Sequence, residues 1–344
     1  MTAEHGTVPM GIVELAHTLG RPLDAVAHAP DHLVDAERIR AAGYRTFHRA
    51  DARVGATDLA AEAGRSVLDK AGVAPGDVDL LVLALSDVPE YLYWEAAAAT
   101  QAKVGAERAE ASLVSPTCGG GVTAFDLVAG KFATHPGYQN ALVIGANRVC
   151  EPYWNRMDTT SSVYSDGAAA ALVRRGHPAR RWLATEVISD GRYADFTRMD
   201  IGGTAHPFAP GVDAPSVQSA SARLQEFFDG DVTSILDFLD TVRDRNREVV
   251  RRACDRTGLK VGDLARIIHF NDSAQVLTQL AGDLEVPAER FNLDMLGDYA
   301  HSGCADQLIS LERYLALGAV RSGDVVALTA TGIGMHWMCT LLRI

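Results

Sequence analysis

An internal repeat constrains this chain more than any other feature. Residues 69–86 (DKAGVAPGDVDLLVLALS) align without a gap on residues 255–272 (DRTGLKVGDLARIIHFND), an offset of 186. An Asp, a basic residue, a Gly, a Gly-Asp pair and the apolar strand positions coincide. A second match sets ALVIGAN at 141–147 on VALTATG at 326–332, an offset of 185. Two matches at nearly one offset imply duplication. The chain is therefore expected to form two similar α/β halves, 1–175 and 176–344, packed about a pseudo-twofold axis. Residues 191–235, rich in Gly, Pro, Ser and Asp, then form an insertion in the second half. A loop of that length is expected to cap a substrate or contact a partner subunit.

Local patterning agrees with layered α/β. Residues 56–71 place Leu59, Ala60, Ala63, Val67 and Leu68 near helical spacing, and Gly72 supplies a stop. Residues 79–85 (DLLVLAL), 141–145 (ALVIG) and 168–173 (AAAALV) are short apolar runs, the pattern of strands covered on both faces. A helical stretch over 121–134 precedes the second of them. Helices alternating with buried strands define an α/β architecture.

With 47% apolar and 22% charged residues over 344 positions, the chain can bury a large core. Its net charge is −12, and no basic run forms a stripe suited to a phosphate backbone, so nucleic acid is not an expected partner. No eighteen apolar residues run uninterrupted and the first thirty lack a signal-peptide pattern, so the expectation is a cytoplasmic protein outside the membrane. Five cysteines without a Cys-x-x-Cys pair indicate neither a disulfide framework nor a metal site.

Cys118 stands in SPTCGGGVTAFDLVAG, where three glycines open a helix. A thiol there feels the positive end of the helix dipole, which favours thiolate, and the glycines let a carbonyl approach the backbone. Free Cys is also a common core residue, so position alone is weak evidence. The repeat adds to it. At an offset of 185 Cys118 falls opposite Gly303, which puts His301 and Ser302 at the equivalent helix start. A thiol and an imidazole are then expected to face each other near the axis. His269, followed by Asn271 and Asp272, ends the repeated strand of the second half, where open α/β folds carry functional groups. Asn271 or Asp272 also suits a helix cap before Ala274. TATGIGMHW at 331–337 has too few glycines for a dinucleotide fingerprint, which excludes NAD binding. It is expected instead to bring the Ile333 N–H, flanked by Gly332 and Gly334, beside the Cys118 N–H as an oxyanion hole. Tyr91, Tyr93 and Trp94 are either core aromatics or tunnel walls; Tyr93, Trp94 and Arg148 are taken as substrate-binding candidates.

These residues resemble the thiolase superfamily, and within it the ketoacyl-acyl carrier protein synthase III group. The resemblance runs from about Ala56 to the C-terminus. It is carried by the Cys118 helix, by YSDGAAAALV at 164–173 (similar to the family's FGDGAGAAVL), by the His269 segment and by GDVVALTATGIGMHW at 323–337. It implies a five-layered αβαβα fold, a homodimer, and transfer of an acyl group from a coenzyme A or carrier-protein thioester through an acyl-cysteine, with no permanently bound cofactor.

Departures from that family are informative. Condensing members use Cys, His and Asn, whereas here the Asn-Thr-Ser segment reads His301-Ser302-Gly303 and His-Gln-Ala-Asn reads His269-Phe270-Asn271-Asp272. An amide donates to an oxyanion but takes no proton at neutral pH, whereas imidazole does both. A set of Cys118 as nucleophile, His301 as base and Asp272 as orienting carboxylate resembles the family's ester-forming branch of natural-product pathways. That implies transfer of a malonyl, short or aryl acyl group to a hydroxyl or amine. The alternatives are a decarboxylative condensing enzyme, with His269 and His301 both stabilising an enolate, and a catalytically silent thiolase-fold partner protein. The net charge would repel an acidic carrier unless arginines such as Arg148 or Arg245, Arg247, Arg251 and Arg252 offset it, so coenzyme A is an equal candidate as donor.

Overall fold

The computed structural model describes residues 8–115, 117–159, 161–208 and 219–344. Residues 209–218 of the expected insertion lie outside the described residues. In chain order the strands are β1 (Met10–Leu19), β2 (Arg21–Asp24), β3 (Thr46–Arg49), β4 (Leu80–Leu85), β5 (Glu110–Val114), β6 (Asn140–Asn147), β7 (Gly167–Arg175), β8 (Arg181–Ser189), β9 (Leu264–Ile268), β10 (Val325–Gly332) and β11 (His336–Arg343). Strands β2 and β3 pair separately; the other nine run β5-β4-β6-β7-β1-β8-β11-β10-β9.

That order has a mirror in it. From the middle outward the first half reads β1, β7, β6, β4, β5 and the second reads β8, β11, β10, β9. The pairings match as well, since β4 with β6 and β9 with β10 are parallel, while β6 with β7 and β10 with β11 are antiparallel. A parallel bridge from Phe291 to Ile267 stands where β5 would have its counterpart. The halves join where Gly11 of β1 lies opposite Arg181 of β8.

Side-chain alternation along the strands then dictates the layers. In β4, Leu80 and Val82 face a central core, while Leu81 and Leu83 face an outer one. In β10, Val326 and Leu328 share the central core, while Val325 and Ala327 face a third cluster on the far side. The central core is filled by two helices, Gly120–Thr134 through Val122, Phe125 and Val128, and Asp306–Ala316 through Leu308, Ile309 and Leu311. Leu59, Ala60 and Val67 of the Ala56–Ala71 helix cover the first sheet half from outside. Val249, Val250 and Ala253 of the Val232–Thr257 helix cover the second. Helix, sheet, helix, sheet and helix succeed one another, the five-layered αβαβα arrangement.

Both central helices start from a short 3₁₀ turn, Thr117–Gly119 in one half and Gly303–Ala305 in the other. These turns abut because glycines make room. A Cβ on Gly121 would lie 2.2 Å, and one on Gly145 2.4 Å, from the Cys304 carbonyl oxygen. The two turns begin 186 positions apart, so the counterpart of Cys118 is Cys304 rather than Gly303. Cys304 is buried and its thiol donates to the carbonyls of Ala84 and Ala146, which fixes it in the core.

Candidate active site

Where the two turns meet, Cys118 and His301 come together. The His301 Nε2 lies 3.2 Å from Cys118 Sγ, and on its far side Nδ1 lies 2.6 Å from Asp306 Oδ2. The imidazole is almost wholly enclosed, with 3% of its side chain exposed, and the carboxylate is fully buried.

The backbone sets this alignment under strain. Thr117 precedes Cys118 at φ +45 and Ala300 precedes His301 at φ +50, conformations that cost non-glycine residues roughly 1–3 kcal/mol each. Surrounding bonds hold them. The His301 N–H donates to Val163 O and its carbonyl accepts from Ser165 N, each at 2.8 Å. The Ala300 carbonyl accepts from Asn271 Nδ2 at 2.6 Å.

Asp306 opens the first turn of its helix and collects three donors. Besides the imidazole, the Asn271 N–H reaches Oδ2 at 2.7 Å and the Ser302 N–H reaches Oδ1 at 2.6 Å. Burial opposes a charged imidazole at His301, but the Asp306 carboxylate and the Cys118 thiol outweigh it and hold the ring well above its ordinary pKa. The ring is therefore placed to exchange a proton with the Cys118 thiol.

The carboxylate on His301 is thus Asp306 and not Asp272. Asp272 Oδ1 accepts from the Ser273 N–H at 2.7 Å, a local bond at the start of the Ala274–Asp283 helix, and burial raises its pKa. Asn271 is likewise committed, its amide spanning Ala300 O and Asn292. His269 Nδ1 meets Thr329 Oγ1 at 2.8 Å, and burial, reinforced by the charge of His301, lowers its pKa to about 3. The Phe270 ring packs beside both imidazoles, its centroid 4.4 Å from that of His269 and 4.9 Å from that of His301. His269 is not among the residues that line the cleft with Cys118 and His301.

Cys118, His301 and Ile333 line a cleft of about 400 Å³, its open mouth included. The Ile333 N–H, one of the two expected oxyanion donors, donates to Thr117 Oγ1, 2.7 Å away. Gly334 has φ +121, a conformation that suits glycine between β10 and β11.

The expected aromatic wall lies elsewhere. Tyr93 is fully exposed, Trp94 packs edge-on against Tyr91, and Arg148 is spent on the carbonyls of Val54 and Val149 and on Asp166. Trp154 and Tyr164 take that place. Sequence reasoning missed Trp154 and its anchor, Asp87. Asp87 follows β4, lines the cleft, and accepts from the N–H groups of Val88 and Cys150 and from Trp154 Nε1. Burial raises its pKa to about 6. An acid just past the end of a buried strand was the available signal. Thr197, within the 191–235 segment, also reaches the cleft.

Among the described residues no group of three His, Cys, Asp or Glu side chains is placed to hold a metal, and no helix is long and apolar enough to cross a membrane. On the Val232–Thr257 helix Arg245 and Arg252 pair with Glu248 and Arg247 pairs with Asp244.

Residues 114–191 match the model of the 3-oxoacyl-[acyl-carrier-protein] synthase III family, and residues 254–344 match that of its C-terminal part. The beta-ketoacyl-[acyl-carrier-protein] synthase III of Gloeobacter violaceus is 30% identical over 290 residues, 83% of either chain. This chain belongs to the ketoacyl-acyl carrier protein synthase III family. The corresponding synthase of Microcystis aeruginosa is 27% identical over 299 residues, covering 86% of this chain and 85% of its own. Among solved structures, the acyltransferase ChlB3 superposes with a TM-score of 0.84 over 98% of both chains at 20% identity. That likeness carries the thiolase fold of the synthase III enzymes. A family of this kind makes the chain an enzyme with an acyl-transfer or condensing role in biosynthesis.

Proposed function

We propose that the protein is an acyltransferase that moves an acyl group from a coenzyme A or carrier-protein thioester, through acyl-Cys118, to a hydroxyl or amine. The observation that carries this is the unbroken chain from Cys118 Sγ through His301 to Asp306. Both imidazole nitrogens are engaged, one toward the nucleophile and one toward a buried carboxylate, which is the logic of a nucleophile, base and orienting acid.

In the first half-reaction the Cys118 thiolate attacks the thioester carbonyl. The tetrahedral oxyanion takes the N–H groups of Cys118 and Ile333, displacing the Thr117 hydroxyl. As the carbon–sulfur bond of the donor breaks, the His301 imidazolium passes its proton to the departing thiolate. Cys118 is then an ester of sulfur and His301 is neutral. In the second half-reaction His301 takes the proton of the acceptor as its oxygen or nitrogen attacks the acyl carbon, and Cys118 leaves as thiolate beside a renewed imidazolium. Asp306 keeps Nε2 facing the thiol throughout. No resident cofactor enters. The malonyl, short-chain or aryl identity of the acyl group and a natural-product setting belong to the same reading, as does a cytoplasmic homodimer.

The second reading is decarboxylative condensation, favoured by the synthase III relatives. It wants two neutral donors over one carbonyl, and a His301 held charged between Cys118 and the Asp306 carboxylate supports it less well. One experiment separates them. The protein is incubated with malonyl-coenzyme A, weighed, and then given an alcohol. A stable malonyl adduct on Cys118 that passes intact to the alcohol is expected. Release of carbon dioxide with carbon–carbon bond formation overturns the proposal, and no adduct returns the silent-partner reading.

A further inference from the structure

One substitution in the family motif has no part in the scheme above. Where the family pattern reads Phe-Gly-Asp-Gly, this chain reads Tyr164-Ser165-Asp166-Gly167, so a ring beside the thiol gains a hydroxyl.

Tyr164 is held against His301 from both sides. The residues flanking it, Val163 and Ser165, each bond the His301 backbone at 2.8 Å, and Tyr164 itself bridges to His301. Its own N–H and carbonyl are taken by Arg156, at 2.8 and 3.1 Å. The ring has little freedom and sits 5.5 Å from the imidazole, centroid to centroid. It lines the cleft that holds Cys118, and its hydroxyl bonds no other described residue. The same cleft is walled by Ser86, Asp87, Asn147 and Thr197, all polar. Asp87 Oδ2 has one protein donor, Cys150 N, and so keeps acceptor capacity.

We propose that Tyr164 recognises a second hydroxyl on the acceptor, adjacent to the one that attacks acyl-Cys118, so that the enzyme selects diols over simple alcohols. This rests on the transfer reading given above. A phenol both donates and accepts, and because the Tyr164 and His301 rings lie 5.5 Å apart on one cleft, an acceptor that gives the proton of one hydroxyl to His301 can offer its neighbouring hydroxyl to Tyr164. Burial, with the charges of Cys118, Asp87 and Asp272 adding to it, keeps the phenol protonated at neutral pH. An apolar wall suited to an alkyl chain would use Phe there.

The test uses two probes that differ by one hydroxyl, 1,2-propanediol and 1-propanol, with enzyme pre-acylated from acetyl-coenzyme A. The transfer kcat/KM for the diol is expected to exceed that for 1-propanol by about tenfold, the worth of one hydrogen bond. In Tyr164→Phe, which keeps the ring, that ratio falls to near one, mainly through the KM of the diol. A wild-type ratio near one, or a ratio that persists in Tyr164→Phe, overturns the inference and leaves acyl transfer standing. No transfer to either probe also overturns the inference, while transfer to an added amine leaves acyl transfer standing.

Discussion

Asp306 accepts from Nδ1 of His301 at 2.6 Å from only five positions further along the chain. The short separation works because the Gly303–Ala305 turn folds the first residue of the following helix back under the ring. Asp306→Asn therefore removes the charge that holds the imidazole in its tautomer. Transfer from acyl-Cys118 should fall by about 10²- to 10⁴-fold, the span of general-base catalysis. Asp272→Asn should stay within a few-fold of wild type, because the Asp272 carboxylate bonds the adjacent Ser273 N–H and the His301 ring is held by Asp306. Single-turnover transfer rates of the two variants decide between the carboxylates, and a larger loss in Asp272→Asn would reverse the assignment.

His301→Asn restores the amide of the condensing relatives and should split the two half-reactions. Acylation of Cys118 can still draw on the helix dipole and backbone donors, while transfer loses its base. Stability carries a second signature. His301 has a raised pKa in the folded state, so its contribution is fully present below its ordinary value of 6.5 and is lost as pH rises through the raised one. The gap in denaturant midpoint between wild type and His301→Asn should thus narrow with rising pH. A gap that widens would show that His301 is not held charged.

Much of the fold was legible, because duplication forces matched halves and buried strands have a plain apolar signature. Gly72 and Gly258, at equivalent ends of the two repeated segments, both close a helix in the left-handed region. The encounter of Cys118 with His301 followed from the same repeat. Asp306 was hidden for a physical reason, since an acid in the first turn of a helix reads as a partner for the dipole. Nothing in the local pattern tells that its side chain turns back to an imidazole. Trp154 was hidden because its position depends on Asp87, 67 residues away.

The five cysteines should separate sharply on labelling. Burial is the main cause that raises the thiols of Cys254 to about 11 and Cys304 to about 12, and lifts Cys150 and Cys339 above their ordinary value. Cys118 alone faces an imidazole held charged. Iodoacetamide at neutral pH followed by peptide mapping should modify Cys118 at least 10-fold faster than the rest. Prior incubation with an acyl thioester should protect it. Faster labelling of any other cysteine would contradict the assignment of the nucleophile.

His269 gives a prediction about stability rather than turnover. Its folded-state pKa is lowered to about 3 by burial and by the charge of His301, against an ordinary value of 6.5. Below 6.5 the unfolded chain takes up a proton that the native ring refuses, so the stability present above that pH is lost as pH falls toward 3. For one such group the full loss is roughly 3–5 kcal/mol, at up to about 1.4 kcal/mol per pH unit. Other histidines lowered by burial, His48 and His336 among them, add to the same slope, so acid weakens the wild type beyond this one residue. In His269→Gln the amide can still bond Thr329 but does not titrate. Urea midpoints measured from pH 6.5 to 4.5 should therefore fall less steeply in the variant, by about one proton's worth of slope. Equal slopes would mean that burial does not hold His269 neutral in the native state.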